Sequence, residues 1–146
     1  MSNAVSGIVA LADLVEDTMG GTSGALYSIY LSALAQGVAQ SNSSKVTMDV
    51  MASASDFALK ALGKYTPARV GDRTLVDALD PFVKELNESK DLWKAVEAAR
   101  EGAAETAKMT ARLGRASYVG GDSLPPDPGA VGVAALVEGI ANALQK

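Results

Sequence analysis

The fold is indicated most directly by residues 19–27, Met-Gly-Gly-Thr-Ser-Gly-Ala-Leu-Tyr (MGGTSGALY). Glycine tolerates the left-handed conformation in which many helices end, and Ser and Thr are favoured caps at helix starts. The stretch therefore predicts that one helix ends at Gly20 and Gly21 and that the next begins at Thr22 or Ser23. Backbone N–H groups at such a junction can hold a phosphate, but an ordinary turn between two helices has the same pattern.

The composition around this stretch favours closely packed helices. Hydrophobic residues make up 48% of the chain but aromatic residues only 5%, and small apolar side chains suit helix packing better than a β-sandwich. The length of 146 residues predicts a single domain, 1–146. A net charge of −4 argues against a nucleic acid or an anionic membrane as partner, and no apolar run is long enough to cross a bilayer.

Two absent residue types restrict the chemistry. The chain has no cysteine and no histidine, so it has no thiolate nucleophile, no Ser-His-Asp triad and no histidine-based metal site. Any metal would have to be a hard cation such as Mg²⁺, bound by carboxylates. The lack of cysteine and of a recognisable signal peptide leads us to expect a cytoplasmic protein.

Apolar residues recur with helical spacing along the whole chain, and no segment alternates like a strand. The predicted helices cover approximately 5–19, 23–40, 47–62 with Thr47 as cap, 72–86 with Asp72 as cap, 91–113 and 128–144. Pro81 predicts a kink or break near Asp80, whereas Asp127 and Pro128 suit the N-cap and first position of the last helix. The chain is therefore predicted to be all-α, an antiparallel bundle of six helices.

Each predicted helix has an apolar face. The second helix is apolar around most of its circumference, which predicts a central position. The inward residues predicted for the first helix are Ile8, Leu11, Ala12, Val15 and Met19. Those predicted for the third helix are Met51, Ala54, Phe57, Ala58 and Leu62, and those for the last helix are Val133, Val137, Ile140 and Leu144.

Three glycine-containing loops, 19–24, 63–74 and 114–129, lie at helix ends, where a bundle can assemble a ligand site. Arg115 in the third loop could bind two phosphate oxygens at once. It could equally be a solvated charge that favours the helix dipole. Asp127 by itself is explained by helix capping alone. Topology does not require the three loops to converge.

Taken together, residues 19–36, 70–79 and 114–136 resemble the ATP-binding domain of dihydroxyacetone (glycerone) kinases. Their sequences are MGGTSGALYSIYLSALAQ, VGDRTLVDAL and GRASYVGGDSLPPDPGAVGVAAL. The same domain forms the DhaL subunit of phosphotransferase-linked kinases. The resemblance implies an antiparallel helical barrel with nucleotide at one rim, in a transferase of glycerol metabolism that passes the γ-phosphate of ATP to dihydroxyacetone.

The resemblance also implies which residues bind the nucleotide. The implied residues are Gly21, Thr22, Ser23 and Gly24 at the phosphates, Arg115 at a phosphate, Gly63 and Leu75 at the adenine, and Asp127, Pro128 and Gly129 in a segment that closes over the nucleotide. The implied ligands are ATP or ADP with Mg²⁺. The implied partner is a dihydroxyacetone-binding kinase domain or subunit.

The sequence departs from this family in two ways. The family holds Mg²⁺ on aspartates of a GDxDxG-like stretch in an N-terminal helix hairpin, and it binds dihydroxyacetone through a histidine; this sequence contains neither. We therefore expect no catalytic residue and no metal ligand in the chain, and little activity from it alone. Missing opening helices would expose apolar faces and favour a homodimer.

Three alternatives remain open at this stage. The chain could be a non-catalytic nucleotide-binding or assembly module. It could instead be the nucleotide domain of a kinase with another acceptor, as in fatty-acid kinases. Its parent could also split FAD into cyclic FMN, as animal and plant relatives in this family do.

Overall fold

A computed structural model of the chain describes residues 2–113 and 124–146, and these ranges contain helices and no strand. The helices are α1 (Ser2–Thr18), α2 (Gly21–Gln40), α3 (Met48–Leu62), α4 (Val76–Ser89), α5 (Leu92–Glu105), a 3₁₀ helix (Thr106–Lys108) and α6 (Pro128–Leu144). The prediction of an all-α fold with six α-helices is confirmed. No described helix is both long and apolar enough to cross a membrane.

The chain divides into two compact units, of which the first is Met1–Pro67. Within it α2 packs against both α1 and α3, which confirms its predicted central position. The core contains Leu34 and Val38 of α2 and Ala58 of α3. At one contact between α2 and α3, a Cβ added to Gly37 would lie 2.9 Å from the Cα of Ala54. Glycine and alanine therefore set the spacing of these two helices.

The second unit is Ala68–Lys146, in which α5 packs against α4 and α6. A very close helix contact joins Gly102 of α5 to the backbone carbonyl of Asp77 in α4. Pro81 has no N–H, so this carbonyl lacks its usual donor four residues along the helix. The α-helix nevertheless continues through Pro81, and the predicted break near Asp80 is not observed.

The start of α4 and the end of α5 differ from the predictions. We predicted that Asp72 caps α4, but Arg73 has a φ of +60°, which is outside the right-handed helical range of a residue with a side chain, and α4 begins at Val76. We predicted that α5 reaches Leu113, but it ends at Glu105. The carbonyl of Thr106 accepts hydrogen bonds from the N–H of Met109 and from Nε of Arg73, so the α-helical pattern stops there.

Some predicted inward positions point outward. Leu11 of α1 and Met19 just after this helix are exposed, as are Phe57 of α3 and Ile140 and Leu144 of α6. The residues that α1 and α6 bury are mainly small: Ala12 in α1, and Ala130, Val133, Ala134 and Ala141 in α6. Since alanine faces let backbones approach closely, helix spacing here follows small residues rather than the largest apolar ones.

We predict that Gly102→Ala destabilises the protein. The new Cβ would lie 2.9 Å from Cγ of Pro81 and closer still to the Asp77 carbonyl, and such overpacking costs about 1–3 kcal/mol. The matched control is Gly139→Ala in α6, where an added Cβ meets nothing within 4 Å. Alanine should raise helix stability there by up to about 1 kcal/mol. Urea unfolding of both variants measures the difference, and equal stabilities would contradict the close packing described.

We also predict a pH dependence caused by Tyr30. Burial raises the pKa of Tyr30 from 10.0 to about 12, while a hydrogen bond with Ser55 acts in the opposite direction. The folded state thus holds this proton more tightly than the unfolded state. The stability is fully present below pH 10 and falls by up to about 3 kcal/mol as the pH rises towards 12.

Tyr30→Phe isolates this contribution from other groups that titrate at high pH. The free energy of unfolding of the variant should fall less between pH 9.5 and 11.5 than that of the unchanged chain. Tyr65→Phe is the control, because Tyr65 is 71% exposed. Parallel pH curves for the unchanged chain and Tyr30→Phe would disprove the assignment.

Candidate functional site

The junction of α1 and α2 contains three glycines with different structural roles. Gly20 is the N-cap of α2, with φ −73° and ψ 164°, and no side chain caps this helix start. Gly21 has a φ of +75°, a conformation that glycine adopts readily. The prediction that Thr22 or Ser23 caps α2 is wrong: both lie in its first turn, because the extended residue before the helix is Gly20.

Gly24, the third glycine, permits the tight fold of this junction. A Cβ placed on Gly24 would come closer than 3.0 Å to the carbonyl oxygen and carbon of Met19. The first turn of α2 therefore rests directly on the backbone that leaves α1. Any side chain at position 24 would push these two segments apart.

The first N–H groups of α2 have no acceptor within the helix, and no side chain caps them. A helix of this length carries a partial positive charge at its N-terminus. The junction also borders an open pocket of about 680 Å³, lined by Met19, Gly20 and Gly21 among others. Such a helix start beside a pocket can bind an anion.

Other residues of this pocket's lining come from the end of α3 and from the segment after it. Ala61 and Tyr65 line it, and Gly63, predicted to contact adenine, lies between them in sequence as the C-cap of α3. One charged side chain, Glu16, also lines the pocket, and its carboxylate accepts a hydrogen bond of 3.3 Å from Ser28 Oγ. The first unit thus places Gly21 of the predicted phosphate turn at the same pocket as Ala61 and Tyr65, which flank Gly63 in sequence.

The second unit gathers another group of predicted residues. A Cβ added to Gly129 would lie 3.4 Å from Cβ of Leu75, so these two predicted nucleotide contacts are neighbours. Asp127 caps α6 by accepting the N–H of Ala130 at 2.9 Å, and Pro128 is the first residue of that helix. The predicted capping roles of Asp127 and Pro128 are confirmed.

Sequence reasoning missed a buried network that holds this second group. Arg73, Asp77, Thr106 and Asp127 are all buried. Arg73 donates to the carbonyls of Thr106 and Pro125, and the N–H of Asp127 donates to Thr106 Oγ1 at 2.7 Å. One signal in the sequence is Thr106, an uncharged polar residue directly after the alanine-rich sequence of α5.

Asp77 organises the loop before α4. Its carboxylate accepts the N–H of Gly71 at 2.7 Å and the N–H of Thr74 at 2.8 Å. Because this side chain is only 2% exposed, both oxygens serve the backbone. A side chain of α4 therefore fixes the loop that precedes this helix and carries Arg73 and Leu75.

The predicted residues thus form two groups, one in each unit, and Arg115 lies outside the described residues. Within 2–113 and 124–146, no three acidic, cysteine or histidine side chains lie close enough together to bind a metal ion. Asp77 and Asp127 bind backbone N–H groups, and Glu16 accepts a hydrogen bond from the Ser28 hydroxyl. The first group offers backbone N–H donors at the start of α2. In the second group the N–H of Asp127 is bonded to Thr106, and Pro128 has no N–H.

The chain is similar to one family model and to several known proteins. The model of the DAK2 domain family matches residues 2–142. Dihydroxyacetone kinase 2 of Saccharomyces cerevisiae is 52% identical over 98% of this chain, and dihydroxyacetone kinase of Komagataella pastoris is 46% identical over all of it. Triokinase/FMN cyclase of Homo sapiens is 40% identical over 92% of the chain. This chain spans only about a quarter of each relative: 26%, 26% and 24%.

Solved structures show the same fold. The native dihydroxyacetone kinase of C. freundii superimposes with a TM-score of 0.73 at 28% identity, over 97% of this chain and 24% of that one. The same enzyme in complex with AMP-PNP and Mg²⁺ gives a TM-score of 0.71 at 26% identity, with the same coverage.

We predict that Gly24→Ala disrupts the α1–α2 junction, whereas Gly20→Ala does not. An added Cβ at Gly24 overlaps the Met19 carbonyl, but at Gly20 it meets nothing within 4 Å. Overpacking at Gly24 should lower the free energy of unfolding by about 1–3 kcal/mol. Gly20→Ala only replaces the N-cap glycine of α2 with a residue that caps less well. Thermal unfolding followed by circular dichroism compares them, and two equally stable variants would refute the tight junction.

Proposed function

This chain belongs to the DAK2 domain family, and from that premise we propose that it is the ATP-binding part of a dihydroxyacetone kinase. In the whole protein, the γ-phosphate of ATP would pass to a hydroxyl of dihydroxyacetone and give dihydroxyacetone phosphate. The yeast relatives named dihydroxyacetone kinases are more similar to this chain than the triokinase/FMN cyclase. This ordering favours dihydroxyacetone as acceptor.

The uncapped start of α2 beside the pocket is the observation that carries the proposal. Gly21, Thr22 and Ser23 are in the first turn of α2, which no side chain caps. Gly24 keeps this turn tight against Met19. We propose that these N–H groups bind the ATP phosphates, since phosphate suits both the unpaired donors and the helix dipole.

The remaining nucleotide contacts are proposed for two other segments. Gly63 would contact adenine from the end of α3, and Leu75 would add apolar contact. Asp127, Pro128 and Gly129 would close over the nucleotide, with Arg115 at a phosphate. The C. freundii kinase bound to AMP-PNP supports ATP as the ligand.

Magnesium does not fit the described residues in the same way. The C. freundii complex contains Mg²⁺, but the described part of this chain brings no carboxylate cluster together. We therefore assign no magnesium ligand and no catalytic residue to it. Phosphoryl transfer relies on metal ions that neutralise the phosphates, so we propose that this chain alone binds ATP without transferring phosphate.

We further propose the setting in which the chain works. It would act as one domain over 1–146, in the cytoplasm, together with a dihydroxyacetone-binding domain or subunit. Exposed apolar side chains such as Leu14 of α1 and Leu144 of α6 favour self-association as a homodimer.

We predict that Thr22→Asp abolishes ATP binding without unfolding the protein. A carboxylate in the first turn of α2 should stabilise the helix by about 0.3–1 kcal/mol, yet it should repel phosphate from the same N–H groups. The matched control is Thr47→Asp, which adds the same charge at the start of α3, where Thr47 already serves as N-cap. Isothermal titration with ATP, ADP and tripolyphosphate should show binding to the unchanged chain and to Thr47→Asp.

The outcomes separate the competing functions. Loss of binding in Thr22→Asp, with its melting temperature kept or raised, assigns the turn to phosphate. Equal affinities of Thr22→Asp and Thr47→Asp would exclude the turn as the phosphate site. Absence of heat with ATP for the unchanged chain, and no effect of Arg115→Ala, would favour the non-catalytic assembly module.

A further inference from the structure

We propose that Arg73 is a positioning residue that holds residues 125–129 in the geometry needed for nucleotide binding. This inference rests on the proposed function, because Asp127, Pro128 and Gly129 belong to the proposed ATP site. Arg73 itself need not touch the nucleotide. It acts through the backbone of the segment and through Thr106.

Arg73 is buried and reaches two separate segments. Its side chain is 4% exposed in a chain where most charges are at the surface. Nε donates to the carbonyl of Thr106 at 3.2 Å, and Nη2 donates to the carbonyl of Pro125 at 2.5 Å. One guanidinium thus fixes the end of α5 and the approach to α6 relative to each other.

The charge of this guanidinium is met by carbonyl oxygens. Among the described residues, no carboxylate lies within ion-pair distance of Arg73, whereas Arg100 in the same unit pairs with Glu97 and Glu138 at the surface. A planar guanidinium can aim separate donors at two carbonyls, but a lysine ammonium concentrates its donors at one point. The site therefore requires the shape of arginine as well as its charge.

Thr106 continues the connection to α6. Its Oγ1 accepts the N–H of Asp127 at 2.7 Å, and the carboxylate of Asp127 accepts the N–H of Ala130 at 2.9 Å. Thr106 Oγ1 also donates to the carbonyl of Ala103, which fixes the direction of the hydroxyl. A continuous series of hydrogen bonds thus runs from Arg73 to the first turn of α6.

Gly71 and Asp77 hold Arg73 in place from the other side. Arg73 has a φ of +60° and Gly71 a φ of +99°, and the Asp77 carboxylate binds N–H groups on both sides of Arg73, those of Gly71 and Thr74. An arginine would not adopt this backbone conformation unless its surroundings required it. The loop is built to direct this one side chain inward.

The experiment uses four variants of the 146-residue chain. Arg73→Lys keeps the charge and removes the fork of donors, and Thr106→Val removes the hydroxyl while keeping its shape. Thr106→Ser restores the hydroxyl as the conservative variant. Arg100→Lys is the matched control, an arginine-to-lysine change in the same unit but at an exposed ion pair.

The two readouts are amide hydrogen exchange by NMR and ATP affinity by titration calorimetry. Arg73→Lys and Thr106→Val should each accelerate exchange at the Asp127 and Ala130 amides by about tenfold or more and weaken ATP binding by about tenfold. Exchange at the Trp93 amide, capped by Asp91 at the start of α5, should not change. Thr106→Ser and Arg100→Lys should behave like the unchanged chain in both measurements.

The results distinguish this inference from the proposed function. Unchanged exchange at Asp127 and Ala130 in the variants, or faster exchange with unchanged ATP affinity, would overturn the positioning role. If the unchanged chain fails to bind ATP, the proposed function and this role in it both fall, and the exchange data then show only whether Arg73 orders the segment. If Arg73→Lys unfolds, the pair Thr106→Val and Thr106→Ser decides the question through the same amides.

Discussion

Close approach of helix backbones is the constraint on which both units depend. In the first unit Gly37 lies against Ala54, and in the second Gly102 lies against the carbonyl of Asp77. Contacts this close leave no room for a side chain, so small residues decide where helices cross. The large apolar residues then fill the remaining space or stay at the surface, as Leu144 does.

This constraint explains what the sequence could and could not reveal. The helical spacing of apolar residues and the capping residues predicted six helices, the cap at Asp127 and the central position of α2, because these features depend on local chemistry. The inward faces of α1 and α6 were predicted from large apolar residues, and Leu11 and Ile140 proved exposed. No local rule indicates that an alanine face will be preferred to a leucine face when backbones approach closely.

In the candidate site, too, the sequence revealed local features but not tertiary contacts. The glycines of the α1–α2 junction were recognisable, since tight turns and phosphate cradles both require glycine. The cap of α2 was misplaced to Thr22 or Ser23 because their capping preference is strong, although Gly20 takes that position. The buried contacts of Arg73 were out of reach, because they join residues 73, 106 and 125 through tertiary structure.

The burial of polar residues in the second unit also requires a physical explanation. Arg73, Asp77, Thr106 and Asp127 are buried within a unit whose core is mainly alanine, valine and leucine. Buried polar groups cost free energy unless they are bonded, and well-packed apolar residues often replace buried charges without loss of stability. Stability alone therefore does not account for this network. Its members determine instead the positions of Leu75 and of residues 125–129, and hydrogen bonds determine position more closely than apolar packing does, because they are directional.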